Sequence, residues 1–147
     1  MHFAVFKAAE SDIPAIAEMA GCIWHSATLQ ELETDFEGLV KSGDAAVFLA
    51  FSGSTACGFA QCGLRQDYVE GTHSSPVGYL EGIYVKPEYR KLGCAKLLLA
   101  ACESWAREQG CAEFASDCEL TNEDSLRFHL NVGFREANRI ICFTKKL

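Results

Sequence analysis

The stretch from Tyr79 to Trp105 constrains this chain more than any other. Tyr79-Leu80-Glu81-Gly82-Ile83-Tyr84-Val85 is rich in aromatic and β-branched residues and reads as a strand, and Pro87 stops it. A basic loop carrying Gly93 follows and opens onto a leucine- and alanine-rich run, so the order is strand, loop, helix, with the helix over about 92–109 closed by Gly110. The first amides of a helix lack intrahelical partners and carry the positive end of its dipole. The backbone from Lys91 to Lys96 is therefore suited to cradle a pyrophosphate, and Gly93 and Ala95 let such a ligand come close.

Arg90-Lys91-Leu92-Gly93-Cys94-Ala95 resembles the (Arg/Gln)-x-x-Gly-x-(Gly/Ala) signature of the GNAT superfamily of N-acetyltransferases. An ordinary strand-to-helix turn is the plainer reading of that hexapeptide alone. The flanks add to it: Leu80 to Val85 before, Ala115-Ser116-Asp117 after, and the closing pattern from Asn122 through Phe134. Together they look like the aminoglycoside 6'-N-acetyltransferases, from about Trp24 to the terminal Lys145-Lys146-Leu147. The resemblance implies that acetyl-coenzyme A is held by Ile83, Tyr84 and Val85, by Arg90, Lys91, Leu92, Gly93, Cys94, Ala95 and Lys96, and by Asn122 and Ser125.

With 147 residues the chain is the size of a single domain, 1–147, with one substantial core. No run reaches the roughly 18 apolar residues that suggest a membrane span. Met1 to Lys7 lack the charged, apolar and small-residue regions of a secretory signal, so a cytoplasmic location is expected. The eight cysteines form no CxxC pair and no zinc spacing with the four histidines; they read as small buried hydrophobes kept reduced, and no metal is expected. A net charge of -7 argues against nucleic acid and for a cationic partner. Residues 1–44 hold eight acidic side chains against Lys7 and Lys41, most of them read as a solvated face, while Lys86, Arg90, Lys91 and Lys96 cluster around the glycine loop.

Along the chain, residues 2–8 read as a strand, and Ser11 is an expected cap for a helix whose apolar face carries Ile13, Ile16, Ala17, Ala20, Ile23 and Trp24. A second helix follows through Leu29, Leu32, Phe36, Leu39 and Val40. Ala45–Ser52 and Thr55–Gln66 form an expected hairpin, with Gly58 and Gly63 marking bulges. After a polar loop over 67–76 come the strand 77–85, a fifth strand Cys111–Asp117, a helix capped by Thr121 with Asp124, and last strands over 134–137 and 139–145.

Seven positions are substrate or catalytic candidates. Trp24 reads as a core anchor, and by resemblance lies beside the acceptor. Tyr68 is a platform for a sugar ring, and Glu70 and His73 lie in the same acceptor loop. Many family members carry Asp or Glu where this chain has His73, which leaves Asp67 and Glu70 to supply negative charge. Alternation places Glu81 on one face with Tyr79 and Ile83; a carboxylate in that apolar run is either structurally bonded or functional. Asp117 stands at a strand exit, where it either forms a turn or, by resemblance, binds the amine and serves as general base. His129 replaces the aromatic acid of the family motif, and a structural role is equally open.

The fold class implied is α/β (α+β): a GNAT fold, a twisted, mostly antiparallel sheet flanked by about four helices, its fourth and fifth strands splayed to admit acetyl-coenzyme A. The implied reaction is acetyl transfer to the 6'-amine of an aminoglycoside, and the implied assembly is a homodimer, to which the apolar run Ile140 to Phe143 adds a motive as a poor exposed edge. Two alternatives stand beside it: acetylation of another primary amine, such as a polyamine or a peptide N-terminus, and non-catalytic binding of acetyl-coenzyme A.

Overall fold

The computed structural model describes residues 2–147. Its frame is a five-stranded sheet in the order β1 (Ala4–Lys7), β2 (Ala45–Ser52), β3 (Thr55–Arg65), β4 (Val77–Val85) and β5 (Phe114–Ser116). The first four strands pair antiparallel, and β4 pairs β5 parallel. Four α-helices lie among the described residues: α1 (Ile13–Ala20), α2 (Leu29–Lys41), α3 (Cys94–Glu108) and α4 (Glu123–Asn131). Helix α3 packs Leu98, Leu99, Cys102 and Trp105 on one face of the sheet, against Cys57, Ala60, Cys62 and Leu80. Helices α1 and α2 cover the other face, where Ile16, Phe36, Leu49 and Phe59 are fully buried. Each such side chain contributes about 2–3 kcal/mol by leaving water.

Local signals explain most helix boundaries. Thr28 caps α2 reciprocally: its Oγ1 accepts from Glu31 N at 3.1 Å, and Glu31 Oε1 accepts from Thr28 N at 3.0 Å. Ser11 does not cap α1; it falls inside a 3-10 turn, Glu10–Asp12, and the Asp12 carboxylate takes the Ala9 N–H instead. Likewise α4 is capped by Asn122 rather than Thr121, because Asn122 Oδ1 accepts from Ser125 N at 3.1 Å. Helix α3 starts at Cys94, two residues later than the sequence suggested, because Gly93 takes the left-handed φ of 89°.

Two irregularities reshape the sheet. The β2–β3 ladder slips at Cys57, beside Gly58, whereas Gly63 pairs regularly with both neighbours and marks no bulge. In the β3–β4 ladder Gln61 pairs with Gly82 and Cys62 with Leu80, which leaves Glu81 as the extra, bulged residue. The bulge corrects the expected alternation: Ile83 joins Leu80 on the α3 face, while Glu81 stays with Tyr79, as their shared partner Arg65 demonstrates.

The expected last strands over 134–137 and 139–145 do not form. After Phe134, whose ring lies 6.2 Å from that of Phe114, the chain runs out with no pairing partner. A strand is stable only against a neighbour, and within the described chain the run Ile140–Phe143 has none, so Ile141 and Phe143 are 79% and 87% exposed.

Gly82 sits under the Trp24 ring, where an added Cβ would lie 2.6 Å from the indole, itself packed against Phe36 and Phe59. Gly82→Ala is expected to lower unfolding free energy in urea by about 1–3 kcal/mol, the usual cost of overpacking, and to shift the tryptophan emission of the folded protein. An unchanged midpoint and spectrum would contradict this placement of Trp24.

Candidate active site

The pairing of β4 with β5 stops at Leu80 opposite Ser116, while β4 continues to Val85. Beyond that point one edge of β4 is free, and the two strands part as the sequence led one to expect. The side chains of Ile83, Tyr84 and Val85 serve the two cores, so only their backbone faces this opening.

The loop that follows β4 is tied back to it. Arg90 Nε donates to Val85 O at 2.7 Å, and its guanidinium lies 5.4 Å from the Tyr84 ring centre. Arg90 thus fixes the turn that delivers the loop. Lys91 and Gly93 both take positive φ, 61° and 89°, and the first helical bond of α3 runs from Leu97 N to Gly93 O. The amides of Cys94, Ala95 and Lys96 therefore precede the first intrahelical bond, and α3 has no side-chain cap. Lys91 and Lys96 are exposed beside them. Cys94 contributes only its backbone: its thiol is buried and pushed up to about 12 by desolvation, with Cys57 adding to it. Free amides and two exposed cations thus lie side by side, an arrangement suited to an anion.

On the other side of the opening, four side chains are linked. Arg65 binds Glu81 through both arms, Nη2 to Oε1 at 2.8 Å and Nε to Oε2 at 3.2 Å. The same guanidinium stacks 3.8 Å from the Tyr79 ring centre. The Tyr79 hydroxyl in turn donates to Asp117 Oδ2. Gly63 pairs directly across from Tyr79. Burial, and after it the Asp117 carboxylate, pushes the Tyr79 phenol far above its ordinary range, which keeps it a hydrogen-bond donor. Trp24 over Gly82 borders the same stretch of β4.

The loop over 67–76 is anchored from outside. Glu113 Oε1 accepts from His73 N at 2.8 Å and from the Ser74 hydroxyl, and these bonds hold the Glu113 carboxylate below the usual range. His73 itself is exposed and serves here through its backbone. Tyr68 is 75% exposed, and its hydroxyl accepts from Gly71 N. Glu70 accepts from Asn138 Nδ2 at 3.1 Å, which joins the loop to the start of the C-terminal tail.

His129 is held at both nitrogens. Nδ1 lies 2.7 Å from Ser125 O, and a carbonyl only accepts, so Nδ1 carries the proton and Nε2 accepts from Ser116 Oγ at 2.8 Å. Ser116 is the residue opposite Leu80, at the fork of the strands. The ring meets Phe128 edge-on at 5.6 Å and lies tilted against Phe134 at 5.1 Å. Asn122 and Ser125 lie on the same helix, Asn122 through its capping oxygen.

The structure thus brings Glu81, Asp117 and Trp24 to one end of the opening and Lys91 to Lys96 to the other. Sequence reasoning missed Arg65, Tyr79, Glu113 and Ser116. An arginine ending a strand one loop before Glu81 was the available signal for the first. Among the described residues no group of three or more His, Cys, Asp or Glu side chains is placed to hold a metal.

Comparison with known proteins shows the family. Residues 13–134 match the acetyltransferase (GNAT) family model. The chain is 36% identical over 140 residues to an aminoglycoside N(6')-acetyltransferase type 1 of Acinetobacter haemolyticus, covering 95% of this chain and 96% of the relative. A protein of the same name from Stenotrophomonas maltophilia is 39% identical over 145 residues, covering 96% and 92%. The solved structure of AAC(6')-Iy in complex with the bisubstrate analog CoA-S-monomethyl-acetylneamine superposes with a TM-score of 0.95 at 33% identity, over 100% of both chains. The chain belongs to the GNAT family of acetyltransferases, on the branch of the aminoglycoside 6'-N-acetyltransferases.

Proposed function

We propose that this protein transfers the acetyl group of acetyl-coenzyme A to the 6'-amine of aminoglycosides. The observation that carries the reading is the pair of carboxylates, Glu81 and Asp117, linked through Arg65 and Tyr79 where the free edge of β4 begins. The anion cradle at Lys91 to Lys96 suits a pyrophosphate, and the two carboxylates suit a cationic acceptor.

An alkylammonium titrates well above neutrality, so its proton must leave before nitrogen can attack. Asp117 takes that proton: its side chain is exposed, and Tyr79 engages only Oδ2. Glu81, bound by Arg65, supports the acceptor directly or through water. The C–N bond forms as the C–S bond breaks, and backbone amides near Val85 stabilise the oxyanion between those events. The departing thiolate takes its proton from solvent, or from the Ser116 hydroxyl when His129 carries a second proton at Nε2 to hand on to that oxygen. Tyr68 and Trp24 flank the sugar, and Glu70, His73 and Asp67 lie in the loop above it.

The exposed tail supports a homodimer, because Ile140, Ile141 and Phe143 are too apolar to remain in water and a second copy offers them cover. Eight free cysteines fit a reducing, cytoplasmic location. No helix among the described residues is long and apolar enough to cross a membrane.

The decisive assay is thiol release with a panel of acceptors. Aminoglycosides with a 6'-amine are expected to be acetylated and 6'-hydroxyl analogues to be inert; equal rates with polyamines or peptides, or cofactor binding without turnover, would replace the reading by one of its alternatives. Asp117→Asn is expected to lower kcat/KM for tobramycin by about 10²- to 10⁴-fold, the range of a lost general base, with the KM of acetyl-coenzyme A unchanged and Glu81→Gln losing less. The reverse order would exchange the two roles. Gly93→Val is expected to weaken acetyl-coenzyme A at least about tenfold, more than 1.4 kcal/mol, while its left-handed backbone costs about 1–2 kcal/mol of stability. Unaltered cofactor affinity in the folded variant would refute the cradle. Light scattering at micromolar concentration is expected to give twice the chain mass, and a monomer would remove the dimer.

A further inference from the structure

Arg65 is a permanent cation lying where a cationic acceptor has to bind. Its guanidinium saturates both oxygens of Glu81 and covers the face of Tyr79, whose hydroxyl reaches Asp117. The charges at this end of the opening are therefore two carboxylates and one guanidinium. The ion pair is not sealed: the Arg65 and Glu81 side chains are 45% and 32% exposed, which makes it the weak and exchangeable kind. Arg65 also ends β3, with the 67–76 loop beyond it, so the guanidinium is free to withdraw toward solvent.

We propose that Arg65 is the resident counter-ion of the acceptor site, bound to Glu81 until a second ammonium of the acceptor takes its place. The inference rests on the aminoglycoside reading and adds a rule of selection to it. The reacting amine goes to Asp117 and must become neutral, so it cannot displace a guanidinium. Only an acceptor with another ammonium near the reacting one can do so. Arg65 then excludes simple monoamines from Glu81 and lowers the affinity for polyamines by the cost of exchange. This makes it a specificity-determining residue that never touches the reacting atoms.

The test compares steady-state kinetics of the wild-type protein, Arg65→Gln and Arg65→Lys, with tobramycin and with a monoamine, methyl 6-amino-6-deoxyglucoside. In Arg65→Gln the KM for tobramycin is expected to fall by about 3- to 10-fold, the effect of one unit charge several ångströms away under partial screening, and to become more sensitive to salt. Its kcat is expected to stay within about twofold, the monoamine KM to fall by less than that of tobramycin, and Arg65→Lys to restore the higher KM. The exposed position of the pair predicts a melting temperature close to that of the wild type. A fall in kcat with unchanged KM would overturn the proposal, because Arg65 would then be holding Glu81 in place for catalysis. An equal fall in KM for monoamine and tobramycin would overturn it as well. Wild-type protein that releases no thiol with tobramycin would overturn the aminoglycoside reading and the exchange with it.

Discussion

Everything in this molecule that bears on chemistry depends on the loss of pairing between two parallel strands after Leu80 and Ser116. Up to that point β4 is a buried central strand with a neighbour on each side. Past it, Gly82 to Val85 keep their pairing with β3 and have no partner on the other edge among the described residues. A backbone edge left open inside a covered sheet must find other partners, because unpaired polar groups are costly away from water. The fork therefore makes a slot for a ligand that can pair like a strand. The Glu81 bulge sits at the same level: Glu81 stays on the Tyr79 face, and the extra residue moves Ile83 to the α3 face.

The two ends of the opening carry opposite charge and are built differently. At the α3 end, positive potential comes from backbone amides and two exposed lysines, and Arg90 is spent on fixing the turn through Val85 O. At the other end, negative charge is concentrated in two carboxylates and moderated by Arg65. Such a separation suits the proposed pair of ligands, an anionic cosubstrate at one end and a cationic acceptor at the other. Oppositely charged ligands sharing one cleft need this separation, since each charged group that attracts one repels the other.

The strand, loop and helix from Val77 to Glu108 were legible in the sequence because apolar patterning, Pro87 and Gly93 all state the same local geometry. The fold and the GNAT likeness followed from there. What stayed hidden was non-local. Arg65 and Glu81 are 16 residues apart, and nothing in either segment announces that they will pair. Tyr79 looked like one more aromatic in a strand until its hydroxyl met Asp117, 38 positions away. The closing strands failed for a related reason: apolar, β-branched residues in 139–145 specify a wish to pair, and pairing depends on a neighbour that the sequence does not name. Helix caps erred by one residue at Ser11 and Thr121: the Asp12 carboxylate turns back to Ala9 N, and Asn122 takes the Ser125 amide.

The most direct test of the account is amide NMR on the labelled protein, with acetyl-coenzyme A added first and tobramycin second. The cosubstrate is expected to shift the amides of Ile83 to Val85 and Lys91 to Lys96, and the drug then to shift Arg65, Tyr79, Glu81 and Asp117, with β1 and β2 silent throughout. Cosubstrate shifts confined to other parts of the surface, or drug shifts centred on the acidic face of α2, would contradict it.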